Sequence, residues 1–286
     1  MVEKGYLAIS ESARHTSELR LSADIKYRWQ FYCPTTWPIS NLYRYFYSIY
    51  CEIRFKLISQ LAKEFNPDVI IELASGLSPR GLIMAEERVS LIYFDSDLPE
   101  IIDYKKSIFS RYGLNRPQNL LLAVKDLKGE EIDFVIQKKA DKIILISEGL
   151  LPWLTQKGAK EIHQKIERFA QKHGQAQIFW LTDINLVFKD LDPEEEKINR
   201  LIKIERQRLG EKIDQPVVSE PFEDMEAFKK ALELGERGAK IYRTKDLVDE
   251  ISSRKINADL IELSEIKATI SRLISKKAAI VAVEIN

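Results

Sequence analysis

The sequence predicts an α/β protein, a mostly parallel sheet buried between helices on both faces. Three observations carry that expectation. From Asn66 onward, short β-branched runs alternate with longer amphipathic stretches, the rhythm of strand, helix, strand units. Several runs are continuously apolar, as in Ile143-Ile144-Leu145-Ile146, which marks a strand covered on both faces. Acidic residues stand at the ends of successive runs, where the carboxyl ends of parallel strands bind ligands.

The predicted strands are Asp68 to Leu73, Ser90 to Phe94, Asn119 to Val124, Lys142 to Ser147 and Gln175 to Leu181, with Ile256 to Leu263 and Ala278 to Ile285 closing the chain. Two intervening helices are readable from their ends. Thr155 can cap a helix whose apolar positions Ala159, Ile162, Ile166, Phe169 and Ala170 recur at helical spacing, with Gly174 as its left-handed terminus. Asp192-Pro193-Glu194-Glu195 supplies an N-cap, a first-turn proline and acids before Ile198, Leu201, Ile202 and Leu209, with Gly210 after them.

The domain reading has three parts. Residues 1–65 form an arm in which ten aromatics fall between Tyr27 and Tyr50, Trp29, Trp37, Tyr43 and Tyr47 among them, far above the chain average of 9%. Such a segment either packs on the sheet's helices or forms a lid over an apolar substrate pocket. Residues 66–286 form the α/β domain, and about 183–254 interrupt its rhythm with charged helices, as a solvated flank or as an insertion that completes the substrate site.

Composition narrows the function. Lys+Arg and Asp+Glu both number 44, so no net field draws nucleic acid or an anionic membrane. A small-molecule substrate is expected instead. The two cysteines, Cys33 and Cys51, have neither metal-knuckle nor disulfide spacing, and no metal is expected. Met1 to Gly5 lead into polar sequence and no run of about 18 apolar residues occurs, so a cytoplasmic location is expected.

The most informative stretch runs from Val69 to Gly81, an apolar strand ending in Glu72 and entering small residues before a helix. A nucleoside lies almost against the backbone at such a turn, leaving little room for side chains. Ala74, Gly76 and Pro79 stand where a dinucleotide turn needs three glycines, so a ligand without a pyrophosphate fits better. About twenty residues on, Asp95 and Asp97 end the second strand. An acid there can accept hydrogen bonds from both ribose hydroxyls, and of these two one can bind ribose while the other caps the helix starting at Pro99. Asp126-Leu127 follows the third strand, where the carboxylate can hold an adenine amino group, and Glu148-Gly149 ends the fourth on the same crevice.

Glu72 to Arg80, Tyr93 to Pro99 with Lys105, and Ser147-Glu148-Gly149-Leu150-Leu151-Pro152-Trp153-Leu154 together resemble the leucine carboxyl methyltransferase family and its bacterial O-methyltransferase relatives, over roughly residues 65–185. The resemblance implies a class I methyltransferase fold, Rossmann-like, with seven strands ending in an antiparallel hairpin. It also implies S-adenosylmethionine contacted by Gly76, Asp97 and Asp126-Leu127, with Glu148 matching the family's acid at the fourth strand, so the expected cofactor-binding set is Glu72, Ala74, Gly76, Arg80, Asp95, Asp97, Asp126, Leu127 and Glu148. Where that family has G-A-G-x-D-T-R, this chain reads Ala74-Ser75-Gly76-Leu77-Ser78-Pro79-Arg80, which keeps the arginine but loses the first glycine and the aspartate. The expected activity is O-methylation of a small molecule or carboxylate by in-line displacement, which proximity and orientation can drive without a protein nucleophile. The altered turn motivates an alternative, a cofactor-binding scaffold with reduced catalysis. A hydroxyl acceptor needs a general base, for which His15 is the candidate, whereas a carboxylate needs none. Arg14, Arg20, Arg28 and Arg44 are candidate receptors for a carboxylate.

Overall fold

A computed structural model describes residues 13–34, 40–136, 139–184, 190–212, 222–235, 238–242, 267–277 and 279–286. A short helix α1 (residues 13–19) precedes the long α2 (Asn41–Phe65), which ends on Asn66 in the left-handed conformation. Then follow β1 (Val69–Leu73), α3 (Arg80–Glu87), β2 (Ile92–Asp97), α4 (Pro99–Tyr112), β3 (Leu120–Val124) and β4 (Lys142–Ser147). The chain continues through α5 (Gln156–Lys172), β5 (Gln177–Asp183), α6 (Pro193–Lys212), α7 (Met225–Ala231), β6 (Ala239–Tyr242), α8 (Lys267–Lys277) and β7 (Ile280–Glu284).

The seven strands lie in the order β3-β2-β1-β4-β5-β7-β6. The first five pair in parallel, and β7 runs antiparallel between β5 and β6. Strand side chains alternate between faces, so β1 feeds two cores. Val69, Ile71 and Leu73 pack with Ile162, Ile166 and Phe169 of α5 and Phe228 of α7. Ile70 packs on the opposite face with Leu57, Ile58 and Leu61 of α2 and Leu82 and Met84 of α3. Burial on both faces is the physical reason these strands read as unbroken apolar runs. A third core is made of helices alone. Tyr43, Tyr45, Phe46 and Ile49 of α2 meet Ile198 and Ile202 of α6 and Ile270, Leu273 and Ile274 of α8.

The helix starts follow the expected chemistry. Thr155 accepts a hydrogen bond from the Gly158 amide at 3.0 Å. Asp192 and Glu195 form a reciprocal box, the Glu195 amide donating to Asp192 at 2.8 Å and the Asp192 amide to Glu195 at 3.0 Å. Both helix ends depart from expectation. Gly174 is not left-handed, since α5 closes one residue earlier on His173, and α6 runs through Gly210 to Lys212. The stretch 183–254 contains an edge strand as well as helices. In β6 the alternation of Ala239 and Ile241 with Lys240 and Tyr242 is too short to stand out from the charged residues around it, and pairing with β7 decides it. The predicted strand Ile256 to Leu263 lies outside the described residues, as does Trp37.

Candidate active site

The site is built at the carboxyl ends of the parallel strands. Beyond Leu73 the chain turns sharply, with Ala74 at φ 50° and Gly76 at φ 55°. The Gly76 amide donates to Asp97 Oδ2 at 2.6 Å, and the Leu98 amide to Asp97 Oδ1 at 2.7 Å. Burial pushes the Asp97 carboxyl up to about 6, against the pull of those two amides. Each oxygen keeps lone-pair capacity, since a carboxylate offers roughly four acceptor sites.

Three residues expected to bind a ligand lie behind this turn, outside the cavity wall. Arg80 is fully buried and donates to both Glu72 and Glu148, while the Tyr93 hydroxyl donates to Glu72 at 2.6 Å. Burial raises Glu72, with Arg80 opposing it. Asp95 accepts from Lys105 Nζ at 2.7 and 2.8 Å and from the Ser75 hydroxyl. Asp95 and Asp97 share a strand face as expected, but two residues are about 6.6 Å of strand. That offset puts Asp97 at the rim and Asp95 beneath the turn. Neither acid caps α4, whose N-cap position is Leu98 with no side-chain cap hydrogen bond; Asp97 accepts from the Leu98 amide instead.

Glu148 lines the cavity, but its oxygens are already engaged. Oε1 accepts from Arg20 at 3.3 Å and Arg54 at 3.2 Å, and Oε2 from Arg80. Burial works against its charge, yet the guanidiniums of Arg80, Arg20 and Arg54 prevail and hold the carboxyl at about 2. Asp183 extends the cluster, accepting from Arg54 at 3.0 Å and from the Gly149 amide at 2.6 Å. Sequence reasoning missed both. Asp183 carried a usable signal, an acid at the end of the fifth strand, whereas Arg54 stands in an aromatic-rich helix with nothing to single it out.

Ala74, Gly76, Asp97, Asp126, Leu127 and Glu148 thus come together on one cavity of about 450 Å³, within the range of small-ligand sites. Asp126 Oδ1 accepts from the Lys128 amide at 2.9 Å, which turns Leu127 inward beside Leu150 and Trp153. The facing wall comes from the arm and from α6: His15, Arg20, Tyr43, Tyr47, Tyr50 and Arg206. Of the four arm arginines expected to receive a carboxylate, Arg20 lines this cavity. Arg44 pairs with Glu18 at 3.0 Å, Arg28 donates to the Leu21 and Ile25 carbonyls, and Arg14 is not in the wall. His15 is buried at 3% exposure rather than sitting on the surface. Cys33 and Cys51 are buried free thiols, and no cluster of the described residues has the makings of a metal site. No helix among the described residues is long and apolar enough to cross a membrane.

No protein-family model matches the chain, and no curated protein matches its sequence. Solved structures do match. Geranyl diphosphate C-methyltransferase from Streptomyces coelicolor, in complex with Mg²⁺, geranyl diphosphate and S-adenosyl-L-homocysteine, aligns over 88% of this chain and 88% of its own, at 9% identity and a TM-score of 0.50. The S-adenosylmethionine-dependent methyltransferase SibL, in its apo form, aligns over 96% of this chain and 69% of its own, at 8% identity and a TM-score of 0.50. At such identities the likeness is one of fold. The chain has the class I methyltransferase fold, a seven-stranded, mostly parallel Rossmann-like sheet with flanking helices.

Proposed function

We propose that the chain is an S-adenosylmethionine-dependent methyltransferase acting on an oxygen of a small molecule. The observation that carries this reading is Asp97, held at the strand rim by the Gly76 amide with acceptor capacity left over, inside a cavity at the carboxyl ends of β1, β2 and β4. The residues present fit the cofactor. Ala74 and Gly76 keep the turn free of bulk where a nucleoside approaches the backbone, Asp97 can accept from two ribose hydroxyls, and Leu127 with Asp126 offers an apolar face beside a polar edge. Arg20 and Arg54 present guanidinium surface suited to a carboxylate.

When bound, the cofactor supplies an electrophilic methyl group on a sulfonium. The chain's part is to orient the acceptor and exclude water, and the reading that the arm serves this is supported by Tyr43, Tyr47 and Tyr50 lining the cavity. The narrower kinship with leucine carboxyl methyltransferases rests on the motif residues alone. Titration calorimetry with S-adenosylhomocysteine tests the reading, with saturable binding at a single site expected. Absence of binding at millimolar ligand removes it. A labelled-methyl assay on a metabolite extract then separates an enzyme from a scaffold.

A further inference from the structure

Lys165 of α5 makes contacts that a solvated surface lysine does not. Its ammonium donates to three backbone carbonyls of the segment after β3, Leu127 at 2.6 Å, Glu130 at 2.8 Å and Lys128 at 3.4 Å. An ammonium carries three N–H donors, so these carbonyls account for all of them. Hydrogen bonds from a charged donor are also stronger than those between neutral groups.

The segment it grips is part of the cavity. Asp126 and Leu127 both line the wall, and so does Ile162, one turn before Lys165 on α5, whereas Lys165 itself does not. The segment is a single tight turn. The Lys128 amide donates to Asp126 Oδ1 at 2.9 Å, and the Glu130 amide to the Asp126 carbonyl at 2.8 Å. These bonds close the turn on itself without tying it to the rest of the molecule. Carbonyl dipoles gathered at one point repel each other unless a cation stands between them. The Lys165 ammonium is that cation, and its helix is anchored in the core by Ile162 and Ile166. One turn further along α5, Arg168 donates to Glu131 at 3.0 and 2.9 Å. That pair is half exposed and contributes little, which leaves Lys165 as the main polar tie between the turn and α5.

We infer that Lys165 is a positioning residue for the cofactor's base. By gathering the carbonyls of Leu127, Lys128 and Glu130 it keeps the Leu127 side chain and the Asp126 carboxylate in the wall, where they would receive the adenine. This rests on reading the cavity as a methyltransferase site. The ammonium acts through the backbone and touches neither cofactor nor methyl acceptor. In the cofactor the ribose separates the base from the sulfonium, so the grip serves binding rather than the chemical step. Its loss therefore raises KM for S-adenosylmethionine and leaves kcat at saturation unchanged.

The test is calorimetry with S-adenosylhomocysteine on the full chain. Lys165→Met keeps an unbranched stem but no donors, and weakens binding about tenfold, on the scale of hydrogen bonds from a charged group. Lys165→Arg still offers N–H donors to the carbonyls and stays within about threefold of the parent. Leu127→Ala keeps the gripped carbonyl and removes the side chain. In that background Lys165→Met costs less than about threefold, because the two residues act through one contact. A lysine that served stability alone would lower the urea midpoint on Lys165→Met and leave affinity unchanged. That result overturns the inference, as does an undiminished tenfold loss in the Leu127→Ala background. If Lys165→Met does not fold, Lys165→Gln, with two donors and no charge, takes its place in both comparisons. Failure of S-adenosylhomocysteine to bind the parent protein removes the proposed function and this inference with it, whereas binding that is indifferent to Lys165 removes the inference alone.

Discussion

Asp97 and Glu148 are both buried acids at strand ends, both line the same cavity, and their chemistry is opposite. Three guanidiniums surround Glu148 and hold it at about 2, whereas Asp97 is held by two backbone amides and sits at about 6. The β4 end is an architectural node that ties the turn after α1, and α2 and α3, to the sheet through Arg20, Arg54 and Arg80. The β2 end is left open toward the cavity. An acid at the end of a parallel strand is therefore not a ligand group by position alone. What matters is whether its lone pairs are already taken.

The largest expected effect breaks the architectural side. Glu148→Gln removes the charge that three buried guanidiniums share, and losing one partner of a buried ion cluster costs about 3–5 kcal/mol. Urea unfolding measures it, and a loss under about 1 kcal/mol, the scale of an exposed pair, would place Glu148 with the ligand groups instead.

On the open side, Asp97→Asn keeps an oxygen for the Gly76 amide but loses the charge. Affinity for S-adenosylhomocysteine falls about 10- to 100-fold, as expected for charge-assisted hydrogen bonds worth about 1.5–3 kcal/mol. Titration calorimetry reads this directly, and the absence of a loss on the scale of about 3–5 kcal/mol separates the variant from Glu148→Gln.

The pH dependences of the two acids run in opposite directions. The carboxyl of Asp97 is raised from an ordinary 3.8, so its contribution to stability is fully present below that value and is lost as pH rises through 6. Glu148 is depressed, so its contribution is present above its ordinary 4.5 and is lost as pH falls toward 2. Asp97→Asn should therefore abolish a decline of about 2–3 kcal/mol between pH 4 and 6, followed by urea midpoints across that range. In the parent protein, affinity for S-adenosylhomocysteine should fall below pH 6 as Asp97 takes up its proton, and calorimetry at successive pH values follows it.

The smallest effect concerns the turn between the two acids. Ala74 is held at φ 50°, where glycine is free of the penalty a Cβ incurs. Ala74→Gly relieves a left-handed penalty of about 1–2 kcal/mol against about 0.4–1 kcal/mol of added unfolded-chain entropy, so the folded chain should gain up to about 1 kcal/mol, seen as a small upward shift in thermal midpoint. A drop would mean that the Ala74 methyl contributes more through packing than the turn costs.

The legible parts of the molecule are local. Lys142 to Ser147 forms β4 as read, because its four consecutive apolar residues, Ile143 to Ile146, mark a strand covered on both faces. Thr155 and Asp192 start their helices because a cap is decided within four residues. Ala74, Gly76, Asp97, Asp126, Leu127 and Glu148 could be placed on one rim because the carboxyl ends of parallel strands converge. Glu72, Arg80 and Asp95 looked equivalent to them and are not. Their depth is set by one strand pitch and by partners such as Lys105 and Tyr93, which strand periodicity does not specify.

The sequence by itself determined the five parallel strands, the last strand and the rim where acids gather, since these follow from periodicity and chain direction, whereas β6 came only from its pairing with β7. The tertiary structure alone decided which acids remain available and what faces them. Arg20 meets Glu148 across 128 positions and Arg54 meets Asp183 across 129, and His15 reaches the cavity because α1 lies over the Gly76 turn. Contacts that distant depend on how helices pack on the finished sheet. A buried charge takes its chemistry from that packing.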